Sequence, residues 1–334
     1  MGEGGGQILR SSLALSLATG TPFHLRNIRA ARRKPGLLQQ HLTAVDAAAK
    51  VGGARAEGAA LGSRRLIFTP ERVKPGEFRF AVGTAGSATL VLQAVLPPLL
   101  TASGPSNLIL EGGTHNPFAP PFDFMEMAFL PLIGRMGPGV VAGLERPGFY
   151  PAGGGRFRVQ VKPAETLAHL DLLDRGEILN IRARALLSGL RENIGRRELN
   201  RVKGKLSLDR ECLEVVEVEN PKGPGNALII EMESEAVTEV ATGFGKKGVP
   251  AERVADKAVK EAKRYLAAGV PVGEHLADQL LVPMALAGGG AFRTMSPTQH
   301  TRTNIDVVKM FLDVEIDVIQ EGDAFRVVIS GSSR

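Results

Sequence analysis

Residues 78–100 read FRFAVGTAGSATLVLQAVLPPLL, which is an alternating segment, a glycine-containing loop and a long apolar segment in succession. Phe78, Phe80 and Val82 recur at every second position, as is typical of a β-strand. The apolar run over residues 88–100 follows the loop at once and predicts a helix. A strand that leads through a short loop into a helix is the building unit of layered α/β folds.

Helices and strands also alternate on the N-terminal side of this segment. Helical spacing of leucines predicts a helix over residues 7–19, which ends at Gly20 and Pro22. A strand follows at residues 23–28, a second helix at 37–51 and a strand at 66–68. Two of these helices follow glycine segments in corresponding places. This pattern fits an internal duplication, and it fits equally well the glycine-containing turns that are common in α/β folds.

On the C-terminal side, strands are predicted at residues 107–111 and 157–161, around a helix at 122–136. The segment 175–268 is richer in charge and reads as a separate unit of strands and helices. The first pattern then returns, with helices at 276–287 and 303–312. We therefore predict an α/β (α+β) fold with a large domain, residues 1–174 plus 269–334, and a smaller inserted α/β domain, residues 175–268.

Composition limits the class of protein. The 334 residues carry 41 Lys and Arg against 35 Asp and Glu, a net charge of +6 that favours a polyanionic partner without requiring one. Cys212 is the only cysteine, which excludes a disulfide within the chain and disfavours a thiolate zinc site. We find no signal peptide and no apolar run of the ~20 residues that span a bilayer. A cytoplasmic protein without a membrane segment is expected, and its oligomeric state is left open.

Several common catalytic motifs are absent: the P-loop, K-x-D-G and H-E-x-x-H. Residues 3–10, EGGGQILR, instead lead straight into a helix. Glycines let backbone N–H groups approach an anion, and a carboxylate such as Glu3 could share Mg²⁺ with phosphate oxygens. The alternative is a flexible glycine-rich start. The basic loop 29–36 could bind phosphate through its guanidinium groups, or it could be an ordinary solvated run of charges. The proline-rich loop 112–121 could form a pocket for a stacked base, or it could be an ordinary stiff loop.

Taken together, the motifs resemble the RNA 3′-terminal phosphate cyclase family over nearly the whole chain. The matching segments are EGGGQILR (3–10), RRKPGL (32–37), QHLTAV (40–45), GTAGS (83–87), GGTHNPFAPP (112–121), GFYPAGGG (148–155), LADQL (276–280) and HTRTNI (300–305). The resemblance implies a large domain of repeated β-α units, as in the RNA cyclase and enolpyruvyl transferase superfamily, with a smaller inserted domain. It also implies an ATP-dependent reaction that closes an RNA 3′-phosphate to a 2′,3′-cyclic phosphate through a histidine–AMP intermediate.

The resemblance also assigns roles to residues. His300 would be the nucleophile, and a neutral imidazole suits that role because its usual pKa is ~6.5. Glu3 would hold a divalent cation, Mg²⁺ or Mn²⁺. The RNA phosphate would be bound by Arg10, Arg29, Arg32 and Gln40. The nucleotide would be bound by Gln93, Pro120, Pro121, His275, Leu276, Ala277, Asp278 and Gln279.

Two departures and three alternatives accompany the resemblance. Family members usually carry a further strand ahead of the EGGGQ motif, and often tyrosine where this sequence has His275. The alternatives are a non-catalytic relative that acts in ribosomal RNA processing, an enolpyruvyl transferase and a plain RNA-binding module. The non-catalytic relatives lack the histidine that His300 supplies here, and the absence of Trp disfavours a stacking platform.

Overall fold

The computed structural model of the chain describes residues 5–83 and 85–331. The helices are α1 (Gly6–Thr19), α2 (Gln39–Gly52), α3 (Ala88–Leu99), α4 (Phe122–Phe124), α5 (Leu130–Arg135), α6 (Glu192–Leu206), α7 (Ala251–Ala268), α8 (Glu274–Leu286) and α9 (Gln299–Phe311). A π-helical turn, Met125–Phe129, joins α4 to α5, and a 3₁₀ turn covers Arg210–Cys212. None of these helices is both long and apolar enough to cross a membrane.

The strands form four sheets. They are β1 (Phe23–Arg26), β2 (Arg55–Glu57), β3 (Arg65–Thr69), β4 (Glu77–Ala81), β5 (Ser106–Gly112), β6 (Gly139–Arg146), β7 (Gly155–Lys162), β8 (Leu170–Leu172), β9 (Ile178–Ser188), β10 (Leu213–Glu217), β11 (Gly225–Ser234), β12 (Thr238–Phe244), β13 (Gly289–Thr294), β14 (Val314–Glu321) and β15 (Ala324–Gly331).

Three of the sheets repeat one topology. In the second unit the sheet order is β4-β5-β7-β6, with β4 parallel to β5 and the other pairs antiparallel. The third unit has the matching order β8-β13-β15-β14 with the same strand directions. In the first unit, β1-β3-β2 corresponds to the last three strands of this pattern. The predicted large domain of repeated β-α units is therefore confirmed.

Helices from the three units meet at the centre of the large domain. Helix α1 packs against α3 from the second unit and α9 from the third. Helix α3 is apolar on almost every side, and its leucines and valines, including Val95 and Leu96, lie in the main core. Burial on all sides explains why α3 lacks the usual polar face. Gln93 is then a conspicuous polar group at the centre of the molecule.

The fourth sheet, β10-β9-β11-β12, enters the chain between β8 and α8 of the third unit. Its outer face packs with α6 and α7 around a core of its own that includes Val202, Leu228 and Ile230. Its other face contributes Leu186 and Ile229 to the main core. We propose that residues 175–268 form the inserted domain, since the third unit is continuous without them.

A buried polar chain joins this inserted sheet to the large domain. Asp123 accepts from Arg184 of β9 (2.9 Å) and contacts Nε2 of His115 (2.6 Å), whose Nδ1 contacts the Thr114 hydroxyl (2.8 Å). Burial alone would raise the pKa of Asp123, but the His115 hydrogen bond and the Arg184 charge outweigh it and hold that pKa below its usual value. Asp123 therefore stays ionised between two partners.

We expect Asp123→Asn to lower the free energy of unfolding by about 2–3 kcal/mol at neutral pH, because one charge of a largely buried pair is lost. A depressed pKa stabilises the fold above the pKa of the unfolded chain, so the deficit should shrink as pH falls below about 4. Urea unfolding at several pH values measures both effects. The control is Glu192→Gln, which breaks an exposed pair with Arg196 one turn along α6 and should leave the midpoint unchanged. A deficit that does not depend on pH would contradict this account.

Candidate active site

His300 lies in the first turn of α9 and is held by Gln7 of the first turn of α1. The Gln7 amide nitrogen donates to the His300 carbonyl oxygen (3.3 Å), which can only accept. The amide oxygen of Gln7 therefore faces the His300 ring, where it lies 2.5 Å from Nδ1. Because that oxygen must accept, Nδ1 carries the proton and the lone pair of the neutral ring is on Nε2.

Helix α9 begins earlier than the sequence predicts. The hydroxyl of Thr298, the N-cap residue, accepts from the Thr301 backbone N–H at 3.0 Å. This cap starts the helix at Gln299 rather than near residue 303. His300 is thus fixed on a capped helical turn instead of on a strand or loop, which limits the directions its ring can take.

Asp278 of α8 lies at the centre of a polar network beside this turn. Its Oδ1 accepts from the hydroxyls of Thr301 (2.6 Å) and Thr298 (3.3 Å), and its carbonyl oxygen accepts from Asn304 (3.0 Å). Ser11 of α1 in turn donates to Asn304 at 2.6 Å. Burial raises the pKa of Asp278 to about 6, although these hydroxyls and nearby His300 favour its charged form.

A second polar chain crosses the same cleft. Arg10 of α1 donates through Nε to Gln93 of α3 at 3.0 Å, and Gln93 donates to Gln279 of α8. Desolvation lowers the pKa of the Arg10 guanidinium to about 10, so it remains charged at neutral pH. The cleft holds about 540 Å³ of space open to solvent, with Gln7, Asp278 and Asn304 also on its walls. One cation, several amides and an acid thus face one cleft.

The N-terminus of α1 provides a place for an anion next to His300. Gly5 is the N-cap and has no side chain to cap the first N–H groups of the helix. A Cβ on Gly6 would come within 2.6 Å of His41 Nε2 and 2.8 Å of Arg10 Nη1, so only glycine fits. The Leu38 N–H donates to His41 Nδ1 at 3.0 Å, and burial, with Arg10 and Arg29 nearby, lowers the pKa of His41 to about 3. Neutral His41 therefore presents an Nε2–H donor here.

The basic loop predicted to bind phosphate reaches the same helix end. Arg32 is exposed, and its guanidinium lies 3.7 Å from the place a Cβ on Gly5 would occupy. Arg29 donates to the carbonyl oxygens of Lys34 (2.6 Å) and Gly36 (3.0 Å), which closes the loop on itself. Gln40 packs against Gly86 of the glycine loop before α3. Of the four residues predicted to bind the RNA phosphate, Arg10 and Arg32 thus lie at the N-terminus of α1, Arg29 supports the loop that carries Arg32, and Gln40 lies against the glycine loop before α3.

The remaining predicted positions divide into two groups. His275, Leu276 and Ala277 occupy the first turn of α8, where His275 is exposed and the other two are buried, so the buried pair could meet a nucleotide only through the backbone. Pro120 accepts from the Thr89 hydroxyl at 2.7 Å, one turn before Gln93 on α3, and Pro121 follows it. Glu3 lies outside the described residues, as does Thr84 of the GTAGS segment.

The chain is similar to known proteins of one family over nearly its whole length. The family model described as RNA 3′-terminal phosphate cyclase matches residues 1–318. Proteins named RNA 3′-terminal phosphate cyclase from Koribacter versatilis and Pseudomonas fluorescens are each 52% identical to the chain, covering 100% and 94% of it and 94% and 92% of themselves. The protein of that name from Ralstonia nicotianae is 50% identical over 97% of the chain and 93% of its own length.

The chain belongs to the RNA 3′-terminal phosphate cyclase family. It is therefore an enzyme of that family. Fold alone does not assign a reaction, so the repeated-unit architecture does not by itself support enolpyruvyl transfer. Within residues 5–83 and 85–331, no three acidic, histidine or cysteine side chains are arranged to hold a metal ion.

Sequence reasoning named His300 and Asp278 but not the residues of the hydrogen-bond network around them, nor His41 beside Gly6. The network residues are Gln7, Ser11, Thr298, Thr301 and Asn304. Each lies within or beside a motif that carries the family resemblance, so the motifs pointed to the right segments. Their roles depend on contacts between helices far apart in the chain, such as Gln7 with His300, which spacing alone does not reveal.

Asp278→Asn provides a test of the buried acid. Its pKa is raised from 3.8 to about 6, so the folded state holds the proton more tightly and loses stability as pH rises between these values. The variant should gain stability relative to the wild type over pH 4–7, on the order of 2 kcal/mol, while losing reactivity with ATP. Urea unfolding across this range measures the gain. A variant less stable than the wild type at pH 7 by the same margin as at pH 4 would contradict the assignment.

Proposed function

We propose that this enzyme converts an RNA 3′-terminal phosphate to a 2′,3′-cyclic phosphate at the expense of ATP, with release of AMP and pyrophosphate. The observation that carries the proposal is the Gln7–His300 pair. Gln7, in the first turn of α1, contacts the His300 ring, and Gly6 of the same turn lies beside Arg10 and His41, which supports a nucleophile next to an anion site.

In the first step, the Nε2 lone pair of His300 attacks the α-phosphorus of ATP. A bond forms between Nε2 and phosphorus, the bond to the bridging oxygen breaks, and pyrophosphate leaves. The ring keeps its Nδ1 proton and becomes cationic. The hydrogen bond from Nδ1 to the Gln7 oxygen therefore becomes stronger as the bond between Nε2 and phosphorus forms. Gln7 is therefore proposed to orient the ring and stabilise the intermediate.

Two transfers then complete the cycle. An oxygen of the RNA 3′-phosphate attacks the α-phosphorus, the phosphorus–Nε2 bond breaks, and the histidine leaves as a neutral ring that keeps the Nδ1 proton. The 2′-hydroxyl of the terminal ribose next attacks the RNA phosphorus, the bond from that phosphorus to the AMP oxygen breaks, and the hydroxyl proton passes to the departing AMP phosphate. Both steps need donors where negative charge collects, which Arg10, Arg32 and the first N–H groups of α1 supply. Arg29 and Gln40 are proposed to hold the walls of this site.

For the nucleotide we propose the opposite wall of the cleft. Gln93 and Gln279 offer amide groups, Asp278 offers a carboxylate oxygen suited to ribose hydroxyls or to His300, and the first turn of α8 brings His275 and the backbone of Leu276 and Ala277. Pro120 and Pro121 are proposed to flank the adenine, since Thr89 fixes that loop on α3. These assignments place the α-phosphate between α8 and α9.

A divalent cation, Mg²⁺ or Mn²⁺, would neutralise phosphate oxygens during both transfers. The described residues form no ready cation site of their own. By the family resemblance, Glu3 is the proposed ligand from the protein, and no step above is assigned to the cation.

The covalent step can be tested with α-labelled ATP. Label should stay on the wild-type protein in alkali and be lost in acid, because a phosphoramidate has that lability, and His300→Ala should retain none. Gln7→Met removes both hydrogen bonds to His300 and should slow labelling about tenfold to hundredfold, which corresponds to the loss of one bond to a charged group. His169→Ala, which changes an exposed histidine away from the cleft, is the matched control.

Full labelling of His300→Ala would overturn the mechanism. Unchanged labelling kinetics in Gln7→Met would leave His300 as nucleophile but contradict the role given to Gln7. Wild-type protein that cyclises RNA 3′-phosphates without any labelled protein intermediate would contradict the covalent route itself.

A further inference from the structure

The outer face of the first sheet carries an unusual pairing of like charges. In the antiparallel register of β1 with β3, Arg26 lies directly opposite Arg65, and both are exposed. The other face of these strands, with Leu25 and Leu66, packs into the core. Together with exposed Arg33, Lys34 and Arg64, these two arginines form what we call the basic strip.

This arrangement costs stability, because like charges directly opposite in an antiparallel pair repel. No residue of the basic strip forms an ion pair with any group in residues 5–83 and 85–331. Exposed arginines elsewhere in the molecule do have acidic partners: Arg197 pairs with Glu252 and Arg201 with Asp256. A surface that keeps five unpaired cations together is suited to a polyanion.

The basic strip is continuous with the proposed site for the RNA 3′-phosphate. The loop that follows Arg26 carries Arg32 to the N-terminus of α1. The Ile28 N–H donates to the Arg64 carbonyl oxygen at 3.1 Å, which binds the start of that loop to the segment before β3. Arg29 closes the loop through its bonds to Lys34 and Gly36. The cations therefore lead outward from the terminal-phosphate site along one surface.

We propose that the basic strip binds the phosphates of the nucleotides immediately upstream of the RNA 3′ end. The inference rests on the proposed function, which brings an RNA end to α1. The outer face of β1 and β3 offers His24, Arg26, Arg65 and Ile67 but no aromatic platform of Phe or Tyr. Contacts there are made to the RNA phosphates rather than to the bases. The basic strip therefore favours longer RNA of any sequence over an RNA of only one or two nucleotides.

The test is a double variant, Arg26→Gln with Arg65→Gln, measured against RNA 3′-phosphates of two lengths. For a 5′-labelled RNA of about twelve nucleotides, losing two phosphate contacts should reduce the slope of log Kd against log salt by about 1.4, which is about tenfold to thirtyfold weaker binding near 0.1 M salt. For a dinucleotide ending in 3′-phosphate, KM and kcat should be unchanged. The control, Lys246→Gln with Lys247→Gln, removes the same charge from an exposed loop of the inserted sheet.

Thermal unfolding of the Arg26→Gln, Arg65→Gln variant provides an independent check that the protein is intact. Because the repulsion between the two arginines is removed, the unfolding midpoint should stay the same or rise while RNA binding weakens. Equal losses in the control variant, or equal effects on long and short RNA, would overturn the inference. Failure of the proposed function looks different, because the wild type would then cyclise neither RNA. Binding that depends on base identity at the upstream positions would also count against a backbone-reading strip.

Discussion

The two hydrogen bonds between the Gln7 amide and His300 are the contact on which the candidate site depends. They join the first helix of the chain to the last, across nearly 300 residues, and they fix which ring nitrogen carries the proton. A free histidine in water samples both tautomers and many ring orientations. Here the backbone of the same residue accepts one of the two bonds, so turning the amide over would lose both bonds and turning the ring over would lose the bond to Nδ1.

The repeated architecture makes this contact available. Because the three units place α1, α3, α8 and α9 around one centre, polar side chains on the facing turns of separate units meet in a single cleft. Ser11, Asn304 and Asp278 continue the link from unit to unit. Such a site requires each helix to start at the correct residue, as the Thr298 cap ensures for α9.

The inserted domain is also connected to this centre. Glu239 of β12 is buried and accepts from the backbone N–H of Gly273, the N-cap of α8, at 2.8 Å. Burial raises the pKa of Glu239 to about 8, so this carboxyl is held largely protonated at neutral pH. The residue thereby connects the inserted sheet to the helix that carries Asp278 and Gln279. Together with the Asp123–Arg184 pair, it makes the position of the insert part of the geometry of the site.

Much of this organisation could be predicted from the sequence. Helices with clear apolar spacing, such as α1 and α2, lie within two residues of their predicted bounds. Strand β6 was not predicted, because small residues and Gly143 weaken its alternation. The motifs indicated His300, Asp278 and the basic loop. The tautomer of His300, the burial of Asp278 and the Arg26–Arg65 pairing depend on side chains brought together by tertiary structure.

The central claim, that His300 Nε2 takes the AMP group, is tested most directly by locating the modification. After incubation with ATP alone, digestion at neutral pH with trypsin should release a peptide from Thr294 to Arg302, in which His300 is the only histidine. Mass spectrometry should find AMP on this peptide and, by fragmentation, on His300. AMP on any other peptide of an active preparation, with the 294–302 peptide unmodified, would contradict the account.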